Sequence, residues 1–399
     1  MAAKRNVNLD LTRCAAVFSV VAVHFFLNSG FYGTPIVGGK MLLSTILRTV
    51  FMVCVPLFLL LTGYLMSGKK VELGTASLKT FYGKISSVLI PYTLITVLIL
   101  LWRVFYKGED LTFASCLFNY LDFAHYSWYV EMYIGLYLFI PFLNVMWHNI
   151  ESVKVQRALV TVLLVTTTLP TVVNIWSFTT EGWWANPSLS TVYNDIIPEW
   201  WVTIYPVTYY FIGAYIRRNV DFSKTKALPY FLAFIVCVAL FGLFNYWRSA
   251  GGTFANSSWC GWNGFQNVTT SVLLFMFINS LKLKKIPAAI SKNIEMISKL
   301  SFGTYMSSYI IDKTIYPVLC ERIPEFHNRL IWAPVMVAGS FLAANTISGA
   351  VYLLEKGIRA VLAKIKAGCG QKKSTEMHGV RLRAFLHIKS GSRRVIGSL

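Results

Sequence analysis

The stretch NLDLTRCAAVFSVVAVHFFL, residues 8–27, decides what kind of protein this is. It is apolar almost all round and long enough, at roughly 20 residues, to cross the ~30 Å hydrocarbon core of a bilayer as a helix. Yet it holds Asp10, Arg13 and His24. Lys4 and Arg5 precede it, and no convincing cleavage site follows. It therefore reads as a retained first span and not as a signal peptide.

Nine more runs of similar character follow: 46–66, 85–105, 128–147, 158–176, 201–216, 228–246, 268–281, 297–316 and 331–354. The eighth of the ten spans is short, and the ninth carries several Ser, Tyr and charged residues. The expected fold is all-α: a polytopic integral membrane protein of about ten transmembrane helices, with both ends in the cytoplasm. Composition agrees. Hydrophobic residues make up 55% and charged residues only 14%, against about a quarter charged in soluble proteins. Mean hydropathy is +0.55. The 28 Phe, 21 Tyr and 12 Trp suit interfacial anchoring.

Charge orders the spans. With the N-terminus inside, the inner segments hold 28 of the 37 Lys and Arg. The outer loops and adjoining span ends hold 8, and Arg13 is the one left. That bias follows the positive-inside rule, and a wrong span count would scramble it. The net charge of +20 is thus a matter of topology. No stripe of base-stacking aromatics accompanies it, so no nucleic-acid partner is expected. Residues 1–360 read as the transmembrane domain, and 361–399 as a basic, disordered cytoplasmic tail able to touch anionic lipid.

Of the seven Cys, Cys14, Cys54 and Cys237 lie in apolar runs as small hydrophobes. Cys116, Cys260 and Cys320 leave room for a disulfide. No Cys/His spacing suits zinc, so no metal is expected. The outer loop 179–200 holds Trp183, Trp184 and Trp200. It fits a sugar-stacking surface or an interfacial aromatic belt.

The chemistry gathers on the first span. Ionisable residues in lipid are costly, so they face protein or water and are functional candidates by default. Arg13 and His24 are eleven residues apart. At about 100° per residue they return to within about 20° of one helix face, roughly 16 Å apart along the axis. Taken singly, Arg13 fits a snorkelling positive-inside residue and His24 a satisfied core histidine. Together they offer a fork of donors for phosphate near the cytoplasm and a base for a hydroxyl further out. Transmembrane group transfer needs both.

Asn8-Leu9-Asp10-Leu11-Thr12-Arg13, ten residues, then His24 resembles the opening Arg-x10-His motif of the membrane-bound acyltransferase-3 family. Further segments resemble it in order. They are Val55-Pro56-Leu57-Phe58 with Leu61-Thr62-Gly63-Tyr64-Leu65; Lys84 with Ile90-Pro91-Tyr92; and the stretch from Ser127-Trp128-Tyr129 through Glu131 to Pro141. Tyr205-Pro206 with Tyr209 to Gly213, and Leu300-Ser301-Phe302-Gly303-Thr304-Tyr305, complete the set. The resemblance covers about residues 5–360.

That resemblance implies a ten-helix enzyme of the plasma (inner) membrane. It would transfer an acyl group, usually acetyl from acetyl-coenzyme A, to a hydroxyl of a cell-envelope or secreted glycan or a lipid-linked saccharide. His24 would be the catalytic base or transient acyl carrier, and Arg13 and Lys84 would meet coenzyme A phosphates. Asp10, Thr62, Tyr64, Trp128 and Glu131 are further candidates, with Glu131 a possible partner of His24 or Arg13. Asp312 is a lesser candidate, with Asp312-Lys313 reading more simply as a hydrated pair near the outer surface. Gly63, Gly135 and Gly213 read as sites of close helix packing. The chain departs from the family pattern at Ser87, where a second basic residue is usual and for which Lys79 could substitute. It departs again at Tyr126, where the His is displaced to His125, and at Ser307 and Ser308, where a His commonly follows Tyr305. The rival reading is a non-enzymatic transporter or flippase for a lipid-linked saccharide, since intramembrane charges mark substrate paths too. A sensory membrane domain is a third.

Overall fold

The computed structural model describes residues 5–70, 72–121, 126–283 and 286–361. The chain divides at Gly349/Ala350 into two units, and the second is helical to residue 361. The expected basic tail lies, from residue 362 onward, outside the described residues.

Helices dominate. They are α1 (Val7–Asn28), α2 (Gly38–Phe51), α3 (Cys54–Met66), α4 (Thr75–Gly83), α5 (Ser86–Phe105), α6 (Phe113–Leu121) and α7 (Trp128–Asn149). Then come α8 (Val153–Thr167), α9 (Pro170–Val173), α10 (Tyr205–Asn219), α11 (Ala227–Ser249), α12 (Phe265–Ser280), α13 (Ala288–Arg322) and α14 (Phe326–Arg329). A last helix covers 333–361. Six stretches are long and apolar enough to cross a membrane: Val7–Gly33, Gly38–Met66, Thr75–Phe105, Trp128–Asn149, Ala227–Ser249 and Phe326–Val361. Helix also occupies the other four expected runs. There α8, α10 and α12 have only 15, 15 and 16 residues. The fourth, α13, has 35 and carries Lys292, Glu295, Lys299, Asp312 and Lys313.

Local chemistry accounts for the boundaries. Asn6 caps α1 by accepting from the Asn8 N–H at 3.0 Å, leaving one orphan donor fewer at the helix start. The run 46–66, expected as one helix, breaks between α2 and α3. Pro56 is the cause: its ring cannot tolerate a helical carbonyl four residues back, and α2 ends with Met52 as its C-cap. Pro56 then sits in the first turn of α3, where its missing N–H would be an orphan anyway. The loop after α5 holds an unexpected short helix, α6. Cys116, Cys260 and Cys320 are free thiols, as are Cys14, Cys54 and Cys237, so the disulfide left open above does not form.

Loops gather in two groups. Asn8 donates to the carbonyls of Ile278 and Leu281 at 2.8 Å each, and Lys282 donates to that of Phe222 at 2.7 Å. Arg217 reaches the Tyr64 carbonyl, and Arg218 that of Ile150, both at 2.9 Å. In the other group, Ile36 pairs with the 250–252 backbone, and Arg329 donates to the carbonyl of Ser29. Phe25, Phe26, Phe31, Phe254, Trp259 and Phe326 pack there as a buried aromatic cluster. Beside it, the fully buried Arg248 is ringed by Trp176, Trp183, Tyr193, Phe244 and Trp259, its guanidinium carbon 4.0–5.6 Å from the ring centroids. The 179–200 loop thus spends Trp183 on this cation, while Trp200 is 86% exposed.

The tightest helix crossing is α3 on α10. A Cβ on Gly63 would lie 2.1 Å from the Tyr210 carbonyl oxygen, and one on Gly213 2.3 Å from that of Leu60. Only glycine lets these backbones meet. Gly135 is different: a Cβ there meets nothing within 4 Å, so the expected close packing is absent. Gly63→Ala and Gly213→Ala should each destabilise the detergent-solubilised protein by about 1–3 kcal/mol, the usual cost of overpacking. Gly135→Ala should leave thermal stability unchanged or raised; a shift like that of the other two would contradict the crossing geometry.

Candidate active site

The site begins where α1 lies along α13. Near the start of α1, Asp10 is buried and takes a two-pronged grip from Arg5, at 2.6 Å from Nε and 2.7 Å from Nη2. The Ser298 hydroxyl donates to the same carboxylate at 2.7 Å. Arg5, outside the span, has its guanidinium pKa pushed up, chiefly by the hydrogen bond it donates to Asp10. Close by, Lys299 holds the Glu295 carboxyl below its usual range by hydrogen bonding to it. Arg13 donates through Nη1 to Ser298 at 2.9 Å and stands 3.7 Å from Asp10. The rest of its fork has no acceptor among the described residues, so that edge is free for a ligand.

Three turns on, His24 meets the same helix. Its Nδ1 is 2.9 Å from Asp312 Oδ2 and 3.2 Å from the Ser308 hydroxyl. Asp312 is wholly buried, which overturns its reading as a hydrated surface residue. It is the carboxylate partner of His24; Glu131, suggested for that place or for pairing with Arg13, is exposed instead. Tyr126 donates to the same Asp312 oxygen at 2.8 Å, and its ring packs edge-on against the His24 ring with centroids 4.4 Å apart. Asn28 donates to Tyr126 Oη, and Lys313 to Asn28 Oδ1, at 2.9 and 3.1 Å. The Tyr305 hydroxyl donates to the Tyr126 carbonyl and pins that loop. A carboxylate offers only acceptors, so this network places the imidazole proton on Nδ1. Among the described residues the Nε2 lone pair has no partner. A histidine so oriented is the base half of a His–carboxylate pair.

His24 lines a cavity of about 500 Å³. Trp128, Tyr129, Trp262 and Tyr305 share its wall, as do Arg48, Tyr32, Asn256, Ser257 and Ser258. Trp128 and Trp262 stack with centroids 5.5 Å apart. From the cavity, Tyr129, Tyr133 and Tyr137 descend α7 one turn apart, with centroid spacings of 6.3 and 6.2 Å. Tyr129 and Tyr133 are within electrostatic reach of Arg13. One aromatic strip therefore links the two ionisable centres of α1.

The other candidates lie apart from His24. Thr62 spends its hydroxyl on the Phe58 carbonyl at 2.8 Å. Tyr64 packs against Phe275 and under Arg217. Lys84 is exposed at the end of α4, Lys79 is exposed on the same helix, and Ser87 bonds back to the Lys84 carbonyl. His125 is outside the described residues. Sequence reading held Asp312 only as a lesser candidate and favoured hydration for it, although the rule that singled out His24, an ionisable group inside an apolar run, applies equally to it. Arg48, inside the 46–66 run, meets the same rule; Trp262 had no such signal, and its place on the cavity comes from loops meeting.

A histidine on a cavity wall, backed by a buried aspartate inside a bundle with six candidate membrane spans, defines an enzyme-like membrane protein. The acyltransferase-3 family model, described as an acyltransferase domain, matches residues 6–348, and the chain belongs to that family. Comparison with curated proteins and with solved structures found no match. Membership makes acyl transfer, and not transport, the activity this site has to explain.

Asp312→Asn should keep the side chain's shape but remove its charge, allowing the wrong imidazole tautomer. Acyl transfer should fall by on the order of 100-fold or more. Tyr126→Phe, losing one hydrogen bond to the carboxylate, should cost about fivefold. Equal activity in all three proteins would remove His24–Asp312 from the reaction.

Proposed function

We propose that the protein is a membrane O-acyltransferase of the plasma membrane. It moves an acyl group, acetyl above all, from acyl-coenzyme A to a hydroxyl of a cell-envelope glycan or lipid-linked saccharide. The observation that carries this reading is His24 on the cavity wall, its tautomer held by Asp312 and its Nε2 without a partner among the described residues. Nε2 takes the proton of the acceptor hydroxyl as its oxygen attacks the thioester carbonyl. The C–S bond then breaks, and the thiolate leaves with that proton. An ester and a free thiol are the products.

Arg13 supplies the phosphate end. Its open guanidinium edge lies about 16 Å along the helix axis from His24, a gap for the pantetheine arm and not the diphosphate to span. The tyrosine strip on α7 would line that path. Lys84 and Lys79, being exposed, would act on the coenzyme only from the rim. The ten-crossing, both-ends-inside topology belongs to this proposal. The Lys and Arg distribution supports it, as does the way the basic loops hydrogen-bond to one another. It puts Arg13 on the coenzyme side and His24 toward the acceptor. The stacked Trp128–Trp262 faces suit sugar rings.

His24→Ala, inserted normally in the membrane, should abolish acyl esters on the surface glycan. Membrane vesicles given acetyl-coenzyme A labelled in the acetyl group should transfer label to a saccharide with the native protein, and Arg13→Ala should raise KM for the coenzyme by about tenfold or more, the loss of one charge-assisted phosphate contact. Unchanged esterification in the His24 variant would sink the proposal.

A further inference from the structure

We infer that the acceptor held in the His24 cavity carries an acidic group, a carboxylate or a phosphate, that pairs with Arg48. The inference rests on reading this cavity as the acceptor site, but it concerns what binds there and not what reacts. Arg48, on α2, is 2% exposed and lines the same cavity as His24. Its Nε donates to the Tyr32 hydroxyl at 2.9 Å, and Nη2 to Asn256 Oδ1 at 3.2 Å. Its Nη1 is buried and has no acceptor. Among the described residues no carboxylate pairs with it.

A permanent cation out of water without a counter-ion is costly. The Phe254 ring, 4.4 Å from the guanidinium carbon, compensates only in part. Arg248 shows the alternative solution. Its three guanidinium nitrogens also lack a hydrogen-bond acceptor, but five rings enclose it and it lies outside this cavity's wall, so the faces of the rings and not a ligand surround the charge. Arg48 instead sits at a cavity wall. Its two anchors, Tyr32 and Asn256, are themselves cavity residues, and one terminal nitrogen stays unused. A guanidinium fixed in this way is suited to the planar or tetrahedral oxygens of a carboxylate or phosphate. A neutral sugar would stack on Trp128 and Trp262 but leave the charge uncompensated. An acidic one would satisfy both walls.

The experiment measures equilibrium binding by the full-length protein in nanodiscs, without coenzyme. Three saccharide probes of equal length are used: one containing hexuronate, a glycerol-phosphate oligomer, and a neutral N-acetylhexosamine oligomer. One acidic probe should bind at least about tenfold tighter than the neutral one, and which of the two prevails distinguishes carboxylate from phosphate. Arg48→Gln should erase the preference, and Arg48→Lys should retain part of it. Equal affinity for all three probes, no binding of either acidic probe, or an undiminished preference in Arg48→Gln overturns the inference. The wild-type comparison alone decides if the Arg48 variants fail to fold. Binding and acyl transfer measured side by side on the native protein separate the two readings: charge preference without any acyl transfer leaves this inference standing and removes the enzyme proposal. Acyl transfer without charge preference does the reverse.

Discussion

The hydrogen bond between His24 and Asp312 is the interaction around which the rest of the site is arranged. Two ionisable groups inside an apolar bundle are tolerable only when each satisfies the other. Their pairing fixes how α1 lies along α13, and the grip of Asp10, Arg13 and Ser298 fixes the same seam about 16 Å lower. Because both contacts join the same two helices, the distance between Arg13 and His24 is set by helix geometry and not by loops. A catalytic pair built on rigid helices keeps its geometry better than one on loops.

Neighbouring elements serve that seam. Tyr126 sits where a histidine is common in the family and uses its hydroxyl to hold the aspartate, while Ser308 approaches Nδ1 from one turn earlier on α13. Two of the departures from the family pattern noted above, Tyr126 and Ser308, thus touch the central pair, while Ser87 lies away from it. The aromatic strip on α7 then supplies a surface without charge between the two centres, so that nothing there competes with Arg13 or His24 for a ligand. Beyond His24 the cavity gains polar loop residues from 256–258 and the buried Arg48, a change of chemistry that suits a hydrophilic partner on that side.

Two buried arginines show how the same residue type can serve architecture or recognition. Arg248 is solvated entirely by ring faces and holds the 176–193 and 244–259 segments around itself. Arg48 keeps an unspent donor at a cavity wall. Aromatic content, which in sequence suggested only interfacial anchors, is partly spent on these cations. The Trp-rich loop contributes Trp183 to such a cage, and the tryptophans facing the cavity are Trp128 and Trp262.

Sequence by itself determined the helical, membrane-type character, the family, and the placing of Arg13 and His24 along one helix, because apolar run length and the 3.6-residue period are local properties. It also placed Gly63 and Gly213 at a close crossing. Tertiary structure alone decided the partner of His24. Asp312 lies 288 residues away on another helix, and no periodicity links the two. It decided as well that Glu131 stands outside the pair, that Gly135 packs against nothing, and that Pro56 breaks the second span in two. Arg48 reaches the cavity only because the 32 and 256 loops close over it. Spacing within a helix is written in the chain; which helices touch depends on packing all of them at once.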